Sequence, residues 1–153
     1  MKLLCDQMLG SLAKWLRIYG FDTYFAERTV DDSELINIAK KEGRVLITRD
    51  KELVYNAKRE NVKVIKIETT DLEEQKEQII TIIKPKSLNY LSRCLLCNSL
   101  LEEISKNEVK NKVPEKIFEN NEEFLYCKKC NKIYWKGTHY ENMLSKINQK
   151  NLS

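Results

Sequence analysis

Apolar residues recur along the first 85 positions in two rhythms: short solid runs, and longer stretches with one apolar stripe. Lys2-Leu3-Leu4-Cys5 is a solid run and predicts a short buried strand. Met8, Leu9, Leu12, Leu16 and Tyr19 follow near helical spacing, with Gly20 as the stop, which predicts a helix from Met8 to Tyr19. Thr23-Tyr24-Phe25 predicts a second strand. Asp31-x-x-Glu34 has the form of a capping box, in which the first side chain accepts a free backbone N–H and the acid reaches back to another. Leu35, Ile36, Ile38 and Ala39 continue that helix to Gly43. Arg44-Val45-Leu46-Ile47-Thr48 predicts a third strand, and Lys51 to Glu60 a helix burying Leu53, Val54 and Ala57. Val62 to Ile67 predicts a fourth strand, and Asp71-x-x-Glu74 opens a helix that ends near Lys84.

Strands that alternate with helices in this way imply an α/β domain: a parallel sheet with helices on both faces and right-handed crossovers. Pro85 to Ser92 shows no period and reads as a linker. The pattern therefore divides the chain into residues 1–86 and a second part, 87–153. Within that second part, Asn98 to Tyr126 is polar and irregular, with Ser105-x-x-Glu108 as a short helix start. Thr138-x-x-Glu141 caps a final helix whose stripe is Tyr140, Met143, Leu144 and Ile147.

Charge changes this picture only slightly. Residues 1–86 carry 16 Lys/Arg against 15 Asp/Glu, and residues 87–153 carry 11 against 8, a net of +1 and +3. That balance permits a nucleic-acid partner without requiring one. No run approaches the roughly 20 apolar residues of a membrane span. The opening Met1 to Cys5 is cut short by Asp6 and lacks a cleavage site, so it is not expected to act as a signal peptide. A cytoplasmic location is expected, where paired cysteines read as metal sites rather than disulfides.

Those cysteines carry the sharpest chemistry. Cys94-Leu95-Leu96-Cys97 and Cys127-Lys128-Lys129-Cys130 supply four sulfurs, and a two-residue spacer lets a tight turn aim two of them at one ion. Structural Zn²⁺ is the expected cofactor, in a small zinc ribbon. The 29 residues between the knuckles imply an insertion. Chelation is then expected to unfold the ribbon and spare the first domain. His139 is surplus to a four-sulfur site and is expected on the ribbon surface, near a substrate.

Three acids fall at junctions. Asp6 follows the first strand, Asp50 follows the third, and Asp32 starts the second helix. In open parallel sheets, functional groups collect at the carboxyl ends of the strands, where strand order reverses. With strand order 2-1-3-4, Asp6 and Asp50 would sit about one strand spacing apart, roughly 4.8 Å, close enough to share a hard cation such as Mg²⁺ or Mn²⁺. Capping and the helix dipole alone also attract acids to helix starts; they account for Asp31 and Asp71 and offer a second reading of Asp32. Lys14 and Arg17 lie three apart on one helix face and, with Arg49, suit phosphate. Trp15 and Trp135 suit packing better than base stacking.

Leu4-Cys5-Asp6-x-Met8-Leu9-Gly10, Leu12 to Arg17, Asp31-Asp32-x-Glu34-Leu35 and Arg44 to Asp50 resemble the Mut7-C RNase domain family. Cys94 to Cys130 and Tyr134-Trp135-x-Gly137-x-His139 resemble its C-terminal zinc ribbon. The resemblance implies a PIN-like fold, the α/β fold of many Mg²⁺-dependent ribonucleases. It also implies Asp6, Asp32 and Asp50 as acidic metal positions, Glu52 and Glu34 as secondary acids, and Lys14, Arg17 and Arg49 as basic positions.

The expected activity is divalent-metal-dependent endoribonuclease cleavage of RNA, with the ribbon gripping RNA or a protein partner. The alternative is a non-catalytic RNA- or protein-binding adaptor on the same fold. A phosphatase of the Asp-x-Asp type would need an acid at Met8, and a receiver domain would need paired acids at Asp6.

Overall fold

A computed structural model describes residues 1–26 and 30–137. The chain forms two compact units, Met1–Asn98 and Ser99–Ser153. His139 and the expected C-terminal helix lie outside the described residues.

The first unit is a four-stranded parallel sheet. Its strands are β1 (Lys2–Cys5), β2 (Asp22–Phe25), β3 (Val45–Thr48) and β4 (Val64–Lys66), in the order β2-β1-β3-β4. Leu4 lies opposite Tyr24 on one side and Leu46 on the other, and Cys5 opposite Phe25 and Ile47. The helices are α1 (Gly10–Ile18), α2 (Asp32–Glu42), α3 (Lys51–Arg59) and α4 (Leu72–Ile83). The expected single helix from Met8 to Tyr19 is in fact a 3-10 turn, Gln7–Leu9, followed by α1, because Asp6 caps the turn and Leu9 leaves helical backbone.

Alternation along the strands sets the two faces. Leu4 and Leu46 pack in one cluster with Leu35, Ile36 and Ala39 of α2 and Leu53 and Ala57 of α3. Leu3, Cys5 and Ile47 alternate to the opposite face and are fully buried, while α1 and α4 pack on each other. Each fully buried Leu or Ile stabilises the fold by about 1.5–3 kcal/mol relative to exposure. The helix ends follow local rules: Asp31 and Asp71 cap α2 and α4 by accepting the Glu34 and Glu74 N–H, and Gly43 closes α2 in left-handed backbone at φ 66°.

The stretch after α4 is not a free linker. The Leu91 N–H donates to Ile18 O at 2.9 Å, and the Tyr90 ring meets Tyr19 edge-on. Gly20, at φ +95°, leaves room for Asn89, whose carbonyl oxygen would lie 2.4 Å from any Cβ there.

The second unit holds an antiparallel sheet, β5 (Glu102–Ile104), β6 (Phe124–Cys127) and β7 (Lys132–Trp135), in chain order. The insertion between the knuckles is less irregular than its polar sequence suggests. It carries β5 and two short helices, α5 (Lys106–Val109) and α6 (Glu115–Asn120). Ser105 caps α5 by accepting the Glu108 N–H. No helix among the described residues is long and apolar enough to cross a membrane.

Candidate active site and metal centre

Two of the three acids stand where the central strands run out. Asp6 follows β1 in extended backbone, and its Oδ1 accepts the Met8 N–H at 3.0 Å. Asp50 caps α3, where its Oδ1 accepts the Glu52 N–H at 2.8 Å and the Leu53 N–H at 3.3 Å. Both caps follow from a carboxylate placed just before a helical turn. At α2 the capping is done by Asp31, so the Asp32 carboxylate is left out of the cap.

One buried hydroxyl joins the two strand ends. Thr48, fully buried at the end of β3, donates to Asp6 Oδ2 and accepts the Asp50 N–H at 3.0 Å. The sequence places Thr48 in a strand and marks no further role for it. The available signal was a hydroxyl residue ending an otherwise apolar strand two positions before an acid.

Asp6, Asp32 and Asp50 line one cavity of about 290 Å³, together with Gln7, Met8, Arg49 and apolar side chains that include Leu35 and Leu53. Burial, then the charges of Asp50, Glu52, Asp6 and Asp31, push the Asp32 carboxyl above its usual range. The carboxylates share the cavity without being drawn tightly together. Among the described residues, the one set of potential ligands gathered closely is the four cysteines. Asp6 and Asp50 are each held in place by the hydrogen bonds above.

The remaining expected residues separate. Arg49 lines the cavity. Glu52 lies near enough for its charge to act on Asp32, whereas Glu34 is exposed and outside the lining. Lys14 is exposed on α1 and also outside the lining. Arg17, expected to meet phosphate from the same helix face, is instead buried, at 8% exposure. Its Nε donates to Thr23 O at 2.9 Å and its Nη1 to Leu95 O at 2.7 Å, so the guanidinium is already engaged with backbone. Trp15 is packing, as expected: the Lys76 amine sits 3.6 Å above its ring. Cys5 is buried, and desolvation followed by the Asp6 charge pushes its thiol well above the usual range.

The Sγ atoms of Cys94, Cys97, Cys127 and Cys130 all lie within 4.8 Å of one another. Tetrahedral zinc with bonds of about 2.3 Å sets sulfurs roughly 3.8 Å apart, so the set fits a single ion with a small inward movement. Each knuckle is closed by local backbone. The Cys130 N–H points to Cys127 Sγ at 3.4 Å, and Asn131 turns the chain into β7 at φ 53°. The Asn98 N–H bonds Cys94 O at 2.9 Å with Asn98 at φ 71°.

The parallel α/β unit, with its acids lining a cavity at the carboxyl ends of the central strands, is by the family model that it matches a ribonuclease-like domain, and the chain adds a four-cysteine cluster that could hold zinc. More particularly, the chain belongs to the Mut7-C RNAse domain family, whose model matches residues 1–147. The resemblance seen in the sequence motifs is thereby borne out. No curated protein matches the chain.

Proposed function

We propose that the protein is a divalent-metal-dependent endoribonuclease in which Asp6, Asp32 and Asp50 hold Mg²⁺ or Mn²⁺. The observation that supports this most directly is the common cavity: three carboxylates from three separate segments line it, and the Asp32 carboxyl is pushed upward in part by the charges of the other two. A hard, oxygen-preferring cation is the species that relieves such repulsion. When bound, it supplies neutralisation of phosphoryl charge and activation of water for phosphodiester hydrolysis.

The chain's own residues do the rest. Thr48 holds Asp6 and the start of α3 in register, so two of the carboxylates are oriented before any ion arrives. Arg49, on the cavity wall, presents a planar guanidinium suited to a phosphate oxygen pair. Lys14, exposed on α1, adds positive charge along the RNA backbone. Glu52 serves as a secondary acid at the rim. The four cysteines hold Zn²⁺ as a structural ion. The ribbon, with exposed Lys128 and Lys129 and with His139 later in the sequence, grips flanking RNA or a partner.

The test is cleavage of single-stranded and structured RNA with and without Mn²⁺, alongside calorimetric Mn²⁺ binding. The wild type should cleave only with the metal, and Asp6→Asn and Asp50→Asn should each lose cleavage and weaken Mn²⁺ binding. Equal activity in those variants removes the acids from the mechanism. RNA binding with no cleavage in Mn²⁺ supports the adaptor reading instead.

A further inference from the structure

Arg17 and Asn98 carry an arrangement that the proposed nuclease chemistry does not use. The first knuckle, Cys94 to Cys97, lies within the Met1–Asn98 unit and is fastened to the edge of its sheet. β2 is an edge strand, so its outer N–H and C=O groups need partners. The Thr23 N–H donates to Asn98 Oδ1 at 3.0 Å. Asn98 Nδ2 donates to Asp22 Oδ1 at 2.7 Å, and the same oxygen accepts Arg44 Nη1 at 2.9 Å. Arg44 is itself buried and also donates to Leu3 O in β1 at 3.0 Å. Arg17 closes the arrangement. One planar guanidinium bridges Thr23 O in β2 and Leu95 O, which lies between the two cysteines. A bidentate fork of this kind fixes two carbonyls relative to each other, which a flexible amine cannot do.

We infer that Arg17 and Asn98 are positioning residues for the metal centre, making its Cys94–Cys97 half a rigid extension of the N-terminal unit, so that zinc binding stabilises that unit as well as the ribbon. The inference rests on the four cysteines holding zinc and is independent of the nuclease reading. It has two consequences. A half-site held in advance by its backbone binds metal more tightly than one that must be ordered on binding. An ion that binds only the folded knuckle also stabilises everything the knuckle is bonded to. This reverses the sequence expectation that chelation spares the first domain.

The experiment uses the full chain in a Trp135→Phe background, so that Trp15, on α1, reports the N-terminal unit alone. Zinc is first counted by elemental analysis, then titrated away with a chromogenic chelator. Asn98→Gly keeps the left-handed backbone at φ 71° and removes both side-chain bonds. Arg17→Lys keeps the charge and removes the fork. Lys58→Ala, on the exposed side of α3, is the control. Both variants should hold zinc about 10- to 100-fold less tightly than the control. Removing zinc from the wild type should lower the Trp15 melting transition by at least about 5 °C, and by less in Asn98→Gly. Zinc absent from the purified wild type overturns the zinc assignment and this inference together. With zinc present, an unchanged Trp15 transition on its removal, or control-level zinc retention in Asn98→Gly, overturns the inference alone. Asn98→Gly keeps the test decisive if Arg17→Lys fails to fold.

Discussion

Thr48→Val isolates one oxygen atom. Valine matches threonine in shape, so the fully buried site stays filled, and only the hydroxyl between Asp6 and Asp50 is lost. The hydroxyl donates to a carboxylate that is itself only 6% exposed, and a hydrogen bond to a charged group contributes about 1.5–3 kcal/mol. The Asp50 N–H then loses its acceptor, which costs about 1 kcal/mol more in a partly buried position. The added methyl offsets about 0.8 kcal/mol through burial. The net is roughly 2–3 kcal/mol, a large share of the ~5–15 kcal/mol that separates folded from unfolded domains. In the Trp135→Phe background, urea unfolding followed by Trp15 fluorescence should show it as a midpoint roughly 1–2 M lower. Thr48→Ser keeps both bonds and loses only a methyl, so it should fall between the two, about 1 kcal/mol below wild type. In an Asp6→Asn background the charge-assisted part is already gone, and Thr48→Val should then be less damaging by about 1–2 kcal/mol. A Val variant within about 0.5 kcal/mol of wild type, or single effects that add within the same margin, would refute the claim that Thr48 couples the strand ends.

Gly20→Ala should destabilise the N-terminal unit by roughly 1–3 kcal/mol in the same unfolding assay, because the new Cβ meets both an unfavourable φ of +95° and the Asn89 carbonyl at 2.4 Å. Asp32→Asn should stabilise the metal-free protein near pH 7, by less than about 1 kcal/mol given how exposed the residue is. The sign follows from linkage. The folded carboxyl sits above its usual value of 3.8, so wild-type stability falls as pH rises from there through the raised value and then levels off. Below about pH 3.8 both forms are neutral and the two proteins should unfold alike. A difference that grows toward acid would mean that Asp32 is stabilised by its surroundings rather than repelled by them.

Strand and helix positions in the first 85 residues were legible because each element carries a local signal. Solid apolar runs mark β1 and β3, and Asp31, Asp50 and Asp71 stand at the helix starts that they cap. The shared position of Asp6 and Asp50 was legible conditionally, through strand order, since parallel neighbours bring distant residues to one rim. At Arg17 the local pattern misleads for an equally physical reason. Helical spacing says that Lys14 and Arg17 share a face, but it does not say what covers part of that face. Here the covering element is the first knuckle, nearly 80 residues later in the chain. Thr48 carries no local signal, because a hydroxyl at a strand end reads the same whether it faces solvent or links the Asp6 carboxylate to the Asp50 N–H.

The one-dimensional pattern by itself therefore determined the alternation of strands and helices, the four cysteines that cluster and the family. Each of these depends on spacing within a few residues, or on motifs whose chemistry is local. Only the folded structure decided which polar groups are used up inside the molecule. It committed Arg17, Asn98, Asp22 and Arg44 to holding the first knuckle against the edge strand, and Thr48 to holding two acids. It left Asp32 outside its helix cap, lining the cavity with those acids. A side chain's role depends on what shields it from water and what lies within about 3 Å, and those neighbours come from chain segments that no local window contains.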